Sequence, residues 1–223
     1  MARDVREYVQ SCRCRMRNRS RSQQIAMLPG RAIQPWEVIE IDLMSVGVES
    51  LSHNKYLLLV VDKASRFPFV YPLPSKQADG VARQLLELCL TLGVPKVIRS
   101  DGGGEFEARC IQHLCRWLRA DIQYGPAEHL RSQGSVERLG GWMQDVLSKL
   151  CNSWPERWDE YTSAACWIKR TLPDPNLPRQ MSPFEILFDR KPRTPLETLV
   201  PHLDDIETTG GLDNFVEQRR QVL

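Results

Sequence analysis

Three carboxylate residues occur where side chains from different parts of the chain could converge. Asp42 falls near the end of a predicted strand, Asp101 ends another strand directly before three glycines, and Glu137 lies in the first turn of a predicted helix. Two Asp and one Glu facing one cleft form an all-oxygen ligand set suited to Mg²⁺ or Mn²⁺. Such a set can hold two ions about 3.5–4 Å apart and support in-line phosphoryl transfer.

Each of these residues also has an ordinary structural explanation. Asp101 stands before a glycine turn, and Glu137 is favourable at the positive end of a helix dipole. The 35 residues between them are not diagnostic, because Asp and Glu make up 28 of the 223 residues and pairs with this separation arise by chance. Residue type and spacing therefore leave a metal site and a purely structural role both open.

Hydrophobic periodicity predicts the elements that would position these carboxylates. Strands are predicted over Trp36–Met44, Lys55–Val61, Phe67–Leu73, Pro95–Ser100 and Asp121–Tyr124. Helices are predicted over Asp79–Leu92, Phe106–Leu118, a long segment from Ser135, Glu156–Leu172, Pro183–Phe188 and Asp213–Gln221. Pro68 and Pro72 favour an edge position for the third strand. The order of elements predicts an α/β fold with a mixed five-stranded sheet flanked by helices.

Composition narrows the class of protein. With 42% apolar and 26% charged residues, the chain is typical of a soluble globular domain, and no apolar run approaches the ~18 residues of a membrane helix. We expect no secretory signal, because the first ten residues contain no apolar run. Seven cysteines without framework spacing indicate reduced thiols in the cytosol or nucleus.

Charge is distributed unevenly along the chain. Residues 1–31 contain eight Arg against Asp4 and Glu7, a net charge of +6, whereas the remainder carries −4. A basic arm of this kind can contact phosphates. A solvated leader, or the remnant of a lost domain, explains the same pattern.

Five sequence segments follow one another in a characteristic order: WEVIEIDL, VVDKASRFPFVYPL, LGVPKVIRSDGGGEF, HLRSQGSVER and SPFEILFDRKPRTP. Together they resemble the integrase catalytic core of retroviruses and gypsy-class LTR retrotransposons, over about residues 34–195. The resemblance implies an RNase H-like fold whose D,D-35-E triad is Asp42, Asp101 and Glu137, with two Mg²⁺ (or Mn²⁺) ions bound. It also implies trimming of DNA 3′ ends and their transfer into target DNA, without a covalent enzyme intermediate.

The resemblance extends to the loop before the catalytic glutamate. The family has a His-Pro-x-x-x-Gly-x-x-Glu run there, which His129 and Glu137 match although Leu130 replaces the proline. We expect His129 and Gln133 to contact DNA, with an ordinary solvated loop as the alternative for both. Asp62, in contrast, resembles the non-catalytic end of the family's second strand.

The helix that follows departs from the family. Relatives usually continue Glu-Arg-x-Asn-Arg, whereas Gly140 and Gly141 stand at the later positions here. Two glycines in a helix interior cost about 1 kcal/mol each relative to Ala, and we expect them to remove side chains that would face DNA. Arg138 remains, Lys149 lies three turns further on, and both are predicted to contact DNA.

The two ends of the chain depart further. Tyr8–Cys12 matches the end of the family's His-His-Cys-Cys zinc domain, but Cys14 comes one residue early and no His pair precedes it. Cys-x-Cys alone cannot complete a four-ligand site, so we expect no structural zinc. The predicted division is a basic N-terminal remnant (1–31), an integrase-like catalytic core (32–195) and a C-terminal tail (196–223) in place of the family's DNA-binding barrel.

Two functions from different classes follow from these observations. The first is an integrase-like polynucleotidyl transferase; the second is a host-domesticated, integrase-derived module for DNA binding or interaction. The intact triad favours the first, and the missing zinc ligands and the glycine pair favour the second. An RNA-cleaving hybrid nuclease is a weaker third. The resemblance implies DNA as a partner, a homodimer or higher multimer formed through the core, a location in the nucleus or also the cytoplasm, and no membrane association.

Overall fold

The computed structural model describes residues 34–124 and 134–193. The strands are β1 (Val38–Ser45), β2 (Tyr56–Asp62), β3 (Pro68–Leu73), β4 (Val97–Ser100) and β5 (Asp121–Tyr124). The α-helices are α1 (Ala78–Leu92), α2 (Gly104–Glu107), α3 (Arg109–Leu118), α4 (Gly134–Leu150), α5 (Trp158–Thr171) and α6 (Pro183–Phe188). None of the helices in these segments is long and apolar enough to cross a membrane.

Three predicted segments at the two ends of the chain fall outside the described residues. They are the basic segment 1–31, the tail 196–223 and the helix at Asp213–Gln221 within that tail. The division of the chain into three parts and the expected lack of a zinc site therefore stay predictions.

The five strands form one mixed sheet, as the sequence predicted, and the structure gives their order as β3-β2-β1-β4-β5. β1 pairs antiparallel with β2, and β2 with β3. β1 pairs parallel with β4, and β4 with β5. The edge position of β3 agrees with Pro68 and Pro72, which cannot donate hydrogen bonds to a second neighbour. The three parallel strands end at the same edge of the sheet, where ligands commonly bind in open α/β folds.

The continuous apolar run of β2 is explained by two hydrophobic cores, one on each face of the sheet. Leu58 and Val60 belong to the core under α1 and α3, whereas Leu57, Leu59 and Val61 belong to the core under α4 and α5. Because side chains alternate along a strand, a strand covered on both faces needs apolar residues at every position. Burial on both faces fixes the register of the central strands.

The predicted helix over Phe106–Leu118 is wrong as one continuous element. It is two helices, α2 and α3, separated by Ala108 in an extended conformation (φ −60°, ψ 146°). Phe106 and Ile111 are both buried in the same core, yet five residues of regular helix would point them about 140° apart. The break at Ala108 allows both side chains to face the core.

Local sequence signals set the ends of other helices. α1 ends at Gly93, which has a φ of 93°, a conformation that favours glycine. α6 begins at Ser182, whose hydroxyl accepts from the Glu185 backbone N–H while the Glu185 carboxylate accepts from the Ser182 backbone N–H. Pro183 occupies the first helical position, where its missing N–H costs nothing. The sequence predicted this helix with the same bounds.

Candidate active site

The parallel pairing of β1 with β4 brings Asp42 and Asp101 to the same end of the sheet. Glu40 of β1 lies opposite Arg99 of β4, and Asp42 and Asp101 each follow two residues further along the sequence. Ile41 packs into the core beneath α1 and α3. Because neighbouring side chains alternate, the side chain of Asp42 lies on the other face of β1, the face covered by α4.

Asp101 occupies a tight turn at the end of β4. Its Oδ1 accepts a hydrogen bond from the Gly103 backbone N–H at 3.0 Å, and Gly102 has a φ of 82°, which an L-residue rarely adopts. The structural explanation of this aspartate as a turn residue is therefore correct. It does not conflict with a role in the site, because the hydrogen bond uses one carboxylate oxygen of an exposed side chain.

A buried carboxylate on β1 holds the first turn of α4, which carries Glu137. Glu40 is fully buried and accepts hydrogen bonds from the hydroxyl of Ser135 and from Nζ of Lys63 at 2.6 Å. Glu137 itself is exposed. The contact joins the start of α4 to the strand that carries Asp42. Sequence reasoning missed Glu40, although a charge two residues before Asp42 in an otherwise apolar strand was a usable signal.

The carboxylates influence one another electrostatically. Burial raises the pKa of Asp42 above its ordinary value of 3.8; the hydrogen bond from the Leu43 N–H opposes this, and the negative charges of Asp101, Glu137 and Glu105 add to it. The other two predicted residues, Asp101 and Glu137, thus each lie within electrostatic range of Asp42. Glu105 is a fourth acid that sequence reasoning missed.

Glu105 follows the glycine run and lies in the first turn of α2. Its carboxylate covers Gly103, where an added Cβ would stand 3.0 Å from Oε2. The signal for it was present in the segment SDGGGEF, because a short turn after a strand brings the next residues back to the same strand end.

The chemistry of the donor set fits a divalent cation. Carboxylate oxygens are the ligands that Mg²⁺ and Mn²⁺ prefer, and a cation would relieve the repulsion that raises the pKa of Asp42. Within residues 34–124 and 134–193, no three His, Cys, Asp or Glu side chains are gathered closely enough to hold a metal ion. The assignment of Asp42, Asp101 and Glu137 as metal ligands therefore stays a prediction supported by ligand type, register and electrostatics.

The predicted DNA-contacting residues are not all in one place. His129 and Gln133 lie outside the described residues. Arg138 is exposed in the first turn of α4, next to Glu137. Lys149 is in the last turn, about 18 Å further along the helix axis, and its Nζ lies 2.8 Å from Oδ2 of Asp145. Arg138 thus shares the start of α4 with Glu137, whereas Lys149 is at the other end of the helix.

Asp62 has a structural role, in agreement with the sequence analysis. It is fully buried. Its Oδ1 accepts from the Trp36 backbone N–H at 2.9 Å, and its Oδ2 accepts from the backbone N–H and the hydroxyl of Ser65. These hydrogen bonds hold the chain entering β1 and the turn after β2, so this carboxylate is already occupied by protein donors.

Of the two glycines of α4, Gly140 does not act as the sequence suggested, whereas for Gly141 the expected loss of a DNA-facing side chain stays a prediction. Gly140 is buried and faces the sheet, where an added Cβ would lie 3.2 Å from Cδ1 of Leu59 and 3.5 Å from Sδ of Met44. Gly140 therefore removes no side chain that could face DNA; it allows α4 to approach β2 closely. Gly141 is exposed, and an added Cβ would meet nothing within 4 Å.

These two environments predict opposite responses to alanine. Gly141→Ala should raise the free energy of unfolding by about 0.8–1 kcal/mol, because helix propensity improves and nothing is displaced. Gly140→Ala should raise the free energy of unfolding by clearly less than Gly141→Ala, or should lower it, since Leu59 and Met44 must move. Urea unfolding of both variants measures the difference. Equal stabilisation by the two substitutions would contradict the close approach of α4 to the sheet.

Comparison with known proteins identifies the domain. Residues 32–129 match the family described as Integrase core domain. The Pol polyprotein of feline endogenous virus ECE1 is 33% identical over 172 residues, 76% of this chain. The chain carries a retroviral-type integrase catalytic core. It spans 16% of the feline polyprotein, so the similarity concerns one domain of a much longer relative.

Solved structures agree with this identification at the level of fold. The HTLV-2 integrase catalytic core domain, in complex with magnesium and in a trimeric form, has a TM-score of 0.58 at 21% identity, covering 70% of this chain and 99% of that one. A simian T-cell lymphotropic virus intasome in complex with a PP2A regulatory subunit has a TM-score of 0.63 at 20% identity, covering 87% and 69%. The integrase core described here therefore has the RNase H-like fold that the sequence predicted.

Proposed function

We propose that the chain is a metal-dependent polynucleotidyl transferase of the integrase type, which processes DNA 3′ ends and transfers them into a second duplex. The observation that carries the proposal is the convergence at Asp42, whose pKa is raised by burial and by the charges of Asp101, Glu137 and Glu105. A half-buried acid whose pKa is raised, with further acids near it at a strand end, is characteristic of functional sites.

The roles of the residues follow from their positions. Asp42, on a central strand, and Asp101, in the turn beside it, would hold the metal ions from the sheet, and Glu137 would hold them from α4. Two bound Mg²⁺ ions would polarise the scissile phosphate and lower the pKa of the attacking water or 3′-hydroxyl. Arg138 would offset the negative charge of the carboxylates where the DNA backbone approaches.

The test is a product assay on labelled duplex DNA with Mg²⁺ or Mn²⁺. The wild-type chain should yield a shortened 3′ end and strand-transfer products, and Asp101→Asn and Glu137→Gln should each lose both products. Matched controls are Asp121→Asn and Glu87→Gln, which make the same chemical changes at exposed positions on other elements and should leave the products unchanged. Product that persists in Asp101→Asn and Glu137→Gln would overturn the assignment.

Calorimetric titration with Mn²⁺ separates the alternatives if no product forms. Metal binding that is lost in Glu137→Gln would identify a catalytic core that needs further DNA-holding segments. A chain that does not bind the metal would overturn the catalytic proposal and leave the host-domesticated interaction module.

We further propose that the core works as a homodimer or higher multimer on DNA in the nucleus. The HTLV-2 integrase core has been solved in both trimeric and dimeric forms, and the simian viral relative in an intasome. Light scattering of the purified chain would give its mass in solution, and a strictly monomeric chain would contradict this proposal.

A further inference from the structure

A cavity of about 240 Å³ lies beside the first turns of α4, bounded by the end of β2 and by α5 and the segment after it. Three basic residues line it, Arg66, Arg138 and Lys169, together with the acidic residue Asp174. One carboxylate against three cations leaves the lining with excess positive charge. Arg138 was predicted from the sequence to contact DNA; the sequence singled out neither Arg66 nor Lys169.

Asp174 lies near two cations but is too far from either for a normal charge-assisted hydrogen bond. The same oxygen, Oδ2, lies 3.6 Å from Nη1 of Arg66 and 3.7 Å from Nζ of Lys169. Charge-assisted hydrogen bonds are normally about 2.7–2.9 Å. The other oxygen, Oδ1, accepts from the backbone N–H and the side-chain amide of Asn176, both at 2.9 Å. Arg66 and Lys169 are therefore held in place by Asp174 and keep donors for a second anion.

The charge state of Asp174 is consistent with this arrangement. Burial would raise the pKa of its carboxyl, but the hydrogen bonds from Asn176 and the charges of Lys169 and Arg66 outweigh burial and lower the pKa. Asp174 is 6% exposed, whereas Arg66 and Lys169 are 26% and 30% exposed. The carboxylate of Asp174 is thus buried beside the two cations, whereas the cations themselves are accessible to solvent and ligands.

Arg66 occupies a backbone conformation that does not suit it. Its φ is +60°, in the left-handed region where a Cβ is unfavourable and glycine is preferred. Residues held in such conformations occur where their surroundings require them, often at binding sites. An arginine at this turn makes the backbone conformation less stable than a glycine would, but it places a cation in the cavity.

The other two cations are also held by their neighbours. Nζ of Lys169 lies 5.8 Å from the centre of the Trp142 ring, a favourable cation–π position. The guanidinium of Arg138 folds back over the first residue of α4, with Nη1 2.9 Å from where a Cβ of Gly134 would stand. Arg138 directly follows Glu137, so the cavity and this candidate catalytic residue share the first turns of α4.

We propose that Arg66, Arg138 and Lys169 form a subsite for a backbone phosphate of duplex DNA. The subsite rests on the proposed function, since DNA is the substrate proposed there. It would hold the backbone on the side of α4 that faces β2 and α5, next to an acidic site that repels phosphate without its metal ions. The ligand chemistry is a phosphodiester, which three converging cations recognise without regard to base sequence.

The subsite is tested by the salt dependence of DNA binding. Fluorescence anisotropy with a labelled duplex would be measured for the full chain in EDTA, so that no chemistry interferes. Arg66→Gly and Lys169→Met should each weaken binding by roughly threefold to tenfold and make the slope of log K against log[salt] shallower by at most about 0.9, because the phosphate loses one of its three cationic partners. Lys169→Met keeps the apolar stem over Trp142 and removes only the charge.

Arg119→Gly is the matched control. Arg119 is also an arginine at positive φ (57°), although it is more exposed than Arg66. It caps α3 before β5, at the opposite edge of the sheet from the turn that holds Arg66. Both glycine variants remove one charge and relieve the same backbone conformation. Arg66→Gly also removes one of the two cations beside the buried Asp174, so the thermal midpoints of both variants are measured and DNA binding is compared well below them. Only Arg66→Gly should change the salt slope.

The outcomes distinguish the subsite from the proposed function. If the wild type binds DNA and Arg66→Gly, Lys169→Met and Arg119→Gly all show the same salt slope as the wild type, the subsite is overturned. The proposal of metal-dependent activity is not affected by that result. Shallower slopes for Arg66→Gly and Lys169→Met alone would support it. A wild-type chain that neither binds DNA nor forms product with Mg²⁺ would overturn both.

Discussion

Replacement of Asp42 by Asn is expected to abolish metal-dependent product formation while making the metal-free protein more stable. Loss of a direct metal ligand should cost more than about 100-fold in activity, since loss of an outer-shell partner alone costs 10–100-fold. The metal-free protein should gain on the order of 1 kcal/mol at pH 7. It gains because Asp42 is half-buried among Asp101, Glu137 and Glu105, and the amide carries no charge to be repelled. Asn keeps the oxygen that accepts from the Leu43 N–H at 2.7 Å.

The pH dependence of this gain has a definite sign. The pKa of Asp42 is raised in the folded state above its ordinary value of 3.8, so above pH 3.8 the folded state holds this proton more tightly than the unfolded state. The free energy of unfolding therefore falls as pH rises from 3.8 through the raised pKa. Asp42→Asn cannot titrate at this position and therefore does not lose this stability. The difference in free energy of unfolding between the variant and the wild type should be largest at pH 7 and should disappear below pH 3.8.

Urea unfolding of the metal-free proteins in EDTA at several pH values measures the effect. Asp121→Asn serves as the control, because Asp121 is exposed at the start of β5. It should unfold with nearly the wild-type free energy at every pH. If Asp42→Asn is less stable than the wild type at pH 7, the carboxylates do not repel one another as the structure indicates.

Replacement of Glu40 by Ala is expected to reduce both stability and activity. The substitution removes a fully buried carboxylate that accepts from Ser135 and Lys63. Breaking a buried ion pair costs about 3–5 kcal/mol; we expect about 2–3 kcal/mol, because Lys63 is 24% exposed and water can solvate it. Activity should fall because the first turn of α4, which carries Glu137, loses its tie to β1.

Two further variants separate positioning from stability. Ser135→Ala removes one hydrogen bond, should cost about 1 kcal/mol, and should lower activity per folded molecule. Glu40→Gln keeps an amide oxygen as acceptor for Ser135 and should restore part of the activity lost in Glu40→Ala. Activity is measured well below the unfolding temperature, and the folded fraction is determined in parallel. The two measurements show whether activity per folded molecule falls in these variants. Full activity in folded Glu40→Ala would show that Glu40 only stabilises the fold.

Local patterns in the sequence were sufficient for most elements and for the sheet. Five strands, the edge position of β3 and helix α6 were predicted from hydrophobic periodicity, proline placement and a helix cap, which are properties of a few neighbouring residues. Helix α2–α3 was predicted as continuous because each residue in it is compatible with helix. The break at Ala108 arises from the need to bury Phe106 and Ile111 together, which depends on a core that local patterns do not describe.

Gly140 and Gly141 give a second example of packing that local sequence patterns do not describe. From the sequence, Gly140 and Gly141 were two equivalent destabilising residues on a DNA-facing helix. In the structure one of them lies against Leu59 and Met44 and the other faces solvent. The rotation of α4 about its axis decides this difference, and that rotation is fixed by packing against β2 rather than by the residues next to the glycines.

The sequence by itself determined the family, through the order of five segments, and it showed which carboxylates lie at strand ends and at a helix start. Only the tertiary structure decided what surrounds them. It placed Glu105 near Asp42, tied α4 to Glu40, and assembled a cationic cavity from Arg66, Arg138 and Lys169. These residues lie far apart along the chain, and the pairing of β1 with β4 and the packing of α4 and α5 on the sheet bring them together. Burial and electrostatic interaction depend on distances in space, and spacing along a single sequence does not define those distances.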